Sequence, residues 1–275
     1  MTGVSAHGSG FPRVLRIPIR LDDDPGYRGS VHDDAVARRM GFRAALVPGA
    51  FVYGHISRLA VDAWGADWLR RGRMEARFRR PVYDRDELTA AASALADTGS
   101  ERRATITLRN QEGEEVATGW VAMPLEDPVP PPVGDCPILP LPDPPPAVAP
   151  GGMAVGTRLG SREAVLTEQE FRRSLAAFDE RHPIYRDGGL VHPGCLIRRT
   201  MFDANRSFRF PAPVVFVSGE AQHFAPVSPG QRLATSGTVT AVYERKGRHY
   251  FETEELLVVD GTRVAARFSR TSIYA

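Results

Sequence analysis

The chain reads as an α+β protein built from a duplicated module, each copy a buried helix followed by four antiparallel strands. Three observations predict this. In VPGAFVYGHISRLAVDAW (47–64), Phe51, Val52, Ile56, Leu59, Ala60, Ala63 and Trp64 cover most of a helix circumference, so the protein encloses this helix. A second copy follows 145 residues later without a gap: Gly49 maps onto Gly194, Glu75-Ala76 onto Glu220-Ala221, Pro81-Val82 onto Pro226-Val227 and Leu88 onto Leu233. After each helix come four extended runs separated by turn residues.

In chain order, RVLRIPIRL (13–21) is a strand, and Asp22-Asp23-Asp24-Pro25-Gly26 is a turn. HDDAVARRMGF (32–42) has the spacing of a short helix with Asp33 or Asp34 as its N-cap. Pro48 suits a first helical turn, where its missing N–H is no loss, and Gly49 lets another group approach the backbone. Gly54 costs about 1 kcal/mol against Ala in mid-helix, so close packing against the sheet is expected there. Strands follow at 74–83, 87–96, 102–110 and 114–123. The proline-dense stretch that comes next is a semi-rigid surface linker, dividing the chain into modules 1–125 and 151–275 around residues 126–150.

The second module opens with a strand around 153–165 and a helix at 168–179, whose Thr167 and Glu170 make a capping box. Its core helix is 194–207 and its strands are 214–225, 231–245, 248–259 and 263–273, the last two joined by a two-residue Asp260-Gly261 turn.

At 275 residues and 42% hydrophobic the chain has enough apolar material for a real core. A net charge of +2 with interspersed signs and no basic-aromatic run argues against a nucleic-acid partner. Cys136 and Cys195 make neither a disulfide framework nor a metal cluster, and Cys195 reads as a small buried filler. No run approaches 18 apolar residues and no signal segment opens the chain, so no membrane partner and a cytoplasmic location are expected. No His/Asp/Glu/Cys set has metal spacing, and neither a glycine-rich phosphate loop nor a serine-nucleophile elbow is present.

Val31-His32-Asp33-Asp34, the segment AVARRMGF, Val47-Pro48-Gly49 and RFRRPVYDRDEL follow one another in an order that resembles the MaoC-like (R)-specific enoyl-CoA hydratase and dehydratase family. That resemblance covers nearly the whole chain. It implies a double hot-dog fold, with two long core helices wrapped by one continuous antiparallel sheet, a pseudo-dimer within the chain and the possibility of a homodimer. It further implies a small-molecule acyl thioester as substrate, carried by CoA or acyl carrier protein, with no other cofactor.

In the family an Asp and a His five residues later hold the water, and the Gly N–H at the core helix start faces the thioester oxygen. Here His32 stands at the His position and Tyr27 at the Asp position, with Asp24 as the candidate replacement carboxylate. The second-module counterparts are Glu180 and Tyr185, while Gly49, Gly194 and His192 are expected to bind the substrate or its oxyanion. His55, within the first core helix, is expected to be a satisfied interior group. Four functions are compatible with these residues: hydration or dehydration of an acyl thioester; thioester hydrolysis; a related lyase or isomerase step on a polyketide-like acyl group; and acyl-thioester binding without catalysis. Only nine residues separate Tyr185 from Gly194 where 17 separate His32 from Gly49, so one working pocket is expected.

Overall fold

A computed structural model describes residues 10–275. The first module contains β1 (Arg13–Pro18), α1 (Asp34–Arg39), α2 (Gly49–Arg71), β2 (Arg73–Phe78), β3 (Glu87–Ala92), β4 (Ala96–Asp97), β5 (Glu101–Arg109) and β6 (Glu115–Pro124). The linker carries β7 (Leu139–Pro140), and β8 (Arg158–Ser161) and β9 (Ala164–Val165) lead to α3 (Glu168–Ala177), α4 (Pro183–Arg186) and α5 (Pro193–Arg206). The chain then runs through β10 (Val215–His223), β11 (Arg232–Arg245), β12 (Arg248–Val259) and β13 (Arg263–Ile273).

One sheet runs through both modules in the order β1-β3-β5-β6-β2-β10-β13-β12-β11-β8-β7. Read outward from its middle, β2-β6-β5-β3 matches β10-β13-β12-β11, which is the duplication expressed as topology. The halves meet where β2 and β10 pair antiparallel, with Glu75 directly opposite Glu220. These two residues are also 145 apart in sequence, so the internal two-fold axis passes between them. Like charges placed opposite each other are unfavourable. Arg73 offsets this by bonding Glu220 at 2.6 Å and Glu101 at 3.0 Å.

The two central helices differ. α2 is buried on nearly every side, with Phe51, Tyr53, Ile56, Leu59 and Trp68 wholly enclosed, and it breaks at Gly65, whose φ of 60° lies in the left-handed region that favours glycine. α5 has 14 residues against 23 in α2 and keeps an open face bearing Phe202 and Arg206. Both core helices lie under the one continuous sheet as expected, and α5 is the less enclosed of the two. Gly54 packs against the rings of Phe178 and His192 from the second module, not against the sheet: a Cβ there would lie 2.5 Å from Phe178.

One of two hairpin turns departs from expectation. The tight two-residue hairpin is Lys246-Gly247, both at positive φ, between the paired Arg245 and Arg248. The Asp260-Gly261 connection takes in Thr262 as well, and the ladder beside it shifts register between Leu257 and Val258. The linker adds β7 in parallel to β8, and its Cys136 packs on Val258 and Val264. The expected strand at 153–165 forms only as β8 and β9. α1 is capped by Asp33, which accepts from Ala35 and Val36, whereas Asp34 accepts from the Ala45 N–H.

Candidate active site

The start of α2 leaves polar backbone unpaired. Pro48 is its N-cap and supplies no side-chain bond, and the Gly49 and Ala50 N–H groups meet no protein acceptor among the described residues. The positive end of the helix dipole is therefore open to whatever lies in front of it. What lies there is a pair of adjoining cavities of about 370 and 320 Å³ that share His32, Pro48, Met201, Asn205 and Val214. The larger is walled mainly by apolar groups, among them Val52, Phe78, Val82 and Phe216.

His32 stands between the two cavities, with Nδ1 2.8 Å from the Leu46 carbonyl oxygen. A carbonyl only accepts, so Nδ1 carries the proton and Nε2 keeps its lone pair. Burial lowers the His32 pKa to about 4, against the opposing pull of the Leu46 bond, so the ring is neutral near pH 7. Nε2 makes no protein hydrogen bond among the described residues. The resulting group is a neutral acceptor held in a pocket beside free N–H donors.

Tyr27 lies edge-on to His32, with ring centroids 5.3 Å apart, and its hydroxyl donates to Asp22. Burial and this bond push the Tyr27 pKa well up, so it stays a phenol. Asp24, the expected replacement carboxylate, is engaged elsewhere: it accepts from the Gly26 N–H at 2.8 Å and pairs with Arg198 at 2.8 Å and Arg173 at 3.6 Å. Burial works to raise its pKa, but those partners outweigh it and hold the carboxylate below its usual range. The carboxylate that reaches Tyr27 is Asp22. Arg198 joins the 320 Å³ cavity to a third, of about 360 Å³, that also holds Arg162, Arg173, Arg199 and Arg206.

The equivalent place in the second module is closed. The His192 Nδ1 accepts from the Gly194 N–H at 3.2 Å, so His192 caps α5 and leaves Gly194 no free N–H for an oxyanion. The remaining His192 proton sits on Nε2, 3.5 Å from the Glu180 carboxylate. Burial raises the Glu180 pKa, but His192, the His182 N–H and Arg58 reverse this and bring it to about 2. Phe178 fills the space in front, 4.3 Å from the His192 ring and 4.7 Å from that of Phe51. A Cβ on Gly194 would meet Phe178 at 2.5 Å. Tyr185 is 1% exposed, and its hydroxyl has no hydrogen-bond partner among the described residues. Gly194 and His192 are thus structural at this helix start, Tyr185 belongs to a filled interior, and Glu180 borders a separate cavity of about 500 Å³ lined by Arg172, Arg181, Arg186 and Asp187. His55 makes no side-chain hydrogen bond among the described residues, contrary to the expected satisfied group, and Cys195 borders the arginine cavity.

Sequence reasoning missed Asn205. It lies on α5, a whole module away from His32, and nothing local marks it.

The whole chain aligns with a protein described as a MaoC domain dehydratase from Chloroflexus aurantiacus, at 16% identity and a TM-score of 0.61 over 99% of each chain. A Mycobacterium tuberculosis protein whose structure is described as a double hot-dog fold matches at 15% identity and a TM-score of 0.60, covering 95% of this chain and 96% of that one. The chain has the double hot-dog fold. A protein described as an oleoyl thioesterase from Lactobacillus plantarum, 10% identical with a TM-score of 0.53 over 96% of both chains, shares it. At these identities the double hot-dog likeness speaks to fold alone. No protein-family model matches the sequence, and no curated protein does either. No helix among the described residues is long and apolar enough to cross a membrane.

Proposed function

We propose that the protein adds water to, or removes it from, an acyl thioester in the first module. The observation that carries this reading is the neutral His32 Nε2 beside the unpaired N–H groups at the start of α2, in a largely apolar cavity. In hydration, His32 takes a proton from water as the water oxygen bonds to the β-carbon. The Cα–Cβ π pair shifts to the α-carbon and the thioester oxygen, where the Gly49 and Ala50 N–H groups meet the charge. The proton on His32 then passes to the α-carbon, giving the 3-hydroxyacyl thioester, and dehydration is the reverse. The apolar walls suit an acyl chain. The cavity bearing Arg162, Arg173, Arg198, Arg199 and Arg206 is also lined by Asp22, Asp24, Glu170 and Asp203, and its arginines left without a close carboxylate, such as Arg162, suit the phosphates of a CoA or acyl-carrier-protein arm.

The test is hydration of a trans-2-enoyl-CoA followed by absorbance. His32→Ala should lower kcat by roughly 10²-fold or more, the usual scale of general-base contributions. Activity unchanged in that variant sinks the site. The double hot-dog thioesterases make hydrolysis the second reading, and release of free CoA from a saturated acyl-CoA would favour it.

A further inference from the structure

Asn205 projects from α5, in the second module, onto the two cavities that flank His32 in the first. Its Oδ1 is buried without a hydrogen-bond partner, and its amide nitrogen makes no protein bond among the described residues. A buried amide oxygen left unpaired costs stability, so a wholly idle amide on the wall of a cavity points to a ligand that completes it. Several of the other polar groups at this site already have work. The Tyr27 hydroxyl is bonded to Asp22, Asp24 is paired with Arg198, and the α2 N–H groups are taken by the thioester oxygen in the proposed reaction.

We propose that Asn205 holds the β-oxygen of the substrate, the attacking water in one direction and the 3-hydroxyl in the other. This rests on the hydratase reading above. A reacting water has two hydrogens and must aim a lone pair at the β-carbon. One O–H points to His32 Nε2, and Asn205 Oδ1 accepts the other, which leaves the lone pair directed at carbon. Asn205 thereby performs, from the opposite module and without charge, the water-holding task of the carboxylate that Tyr27 replaces. The substrate class follows: acyl thioesters oxygenated at C3 are preferred over saturated ones. The working site is composite, because the second module, though its own pocket is filled, supplies one wall and one contact.

Calorimetric binding of (R)-3-hydroxyhexanoyl-CoA and hexanoyl-CoA separates these contributions. It is done in a His32→Ala background to stop turnover, with and without Asn205→Leu. With Asn205 present, the hydroxyacyl thioester should bind about tenfold or more tighter than the saturated one, the scale of a buried hydrogen bond made or left open. Asn205→Leu should abolish that preference while leaving hexanoyl-CoA affinity unchanged. Asn205→Asp, which retains an acceptor of the same shape, should keep part of it, and so distinguishes loss of the contact from loss of fold. A preference that survives Asn205→Leu, or that is absent with Asn205 in place, overturns the assignment. Failure of both thioesters to bind overturns the thioester reading and this assignment with it.

Discussion

At the scale of single residues, His32 owes its character to one carbonyl and to its burial. The Leu46 oxygen holds the proton on Nδ1, and desolvation keeps the ring neutral down to about pH 4. A base with that pKa is competent throughout the neutral range. The acid limb of kcat/KM should therefore fall only below about pH 5, not near the 6.5 of an ordinary histidine. A pH–rate profile checks this, and an acid limb centred above pH 6 would contradict it. His32 and Tyr27 were legible from motif order alone. Their partners were not, because three adjacent aspartates look alike in sequence. Only the folded turn sends Asp22 to Tyr27 and Asp24 to Arg198.

At the scale of elements, the start of α5 is what separates the second module from the first. Phe178 stands against Gly54 and Gly194, a glycine from each central helix. Gly194→Ala should destabilise by about 1–3 kcal/mol through overpacking. Adding Phe178→Leu should recover part of that loss, a coupling that a double-mutant cycle in urea would measure. Additive effects would mean that Phe178 and Gly194 do not share one space. A second element-level feature is the pair across β12 and β13, where Arg270 meets Glu255 at 2.7 Å with both side chains fully buried. Arg270→Met strands the carboxylate and should cost about 3–5 kcal/mol, most of it regained by adding Glu255→Leu. Denaturant midpoints of the single and double variants decide this.

At the scale of the whole molecule, three histidines, His32, His55 and His223, have pKa values that burial lowers from 6.5 to about 4. Between those values the unfolded chain takes up protons that the folded chain refuses, so stability is full above pH 6.5 and falls as pH drops toward 4. His223 is the most enclosed, 1% exposed, beside Trp68 and with Nε2 unpartnered among the described residues. It should contribute roughly 1.4 kcal/mol per pH unit to that slope. Thermal midpoints measured across pH 4–7 should flatten in His223→Leu, and an unchanged slope would mean that the ring is protonated in the fold.

The duplication, the order of elements and the enclosure of α2 were all present in the sequence. Each depends on a local pattern, whether a helical period, a turn residue or one constant offset, and local patterns survive without knowledge of neighbours. The same offset recurs at the central pairing, where Glu75 faces Glu220 across the axis. The intervals of 17 and nine residues already led to the expectation of one working pocket, in the first module; what tertiary structure alone decided is how the second helix start is closed. The two helix starts, VPG and VHPG, differ by one residue, yet one N–H stays open and the other is capped by His192 and covered by Phe178. Asn205 joins His32 across 173 residues of chain for the same reason. Whether a polar group is free or engaged depends on atoms brought together from distant positions, and no window of sequence contains them.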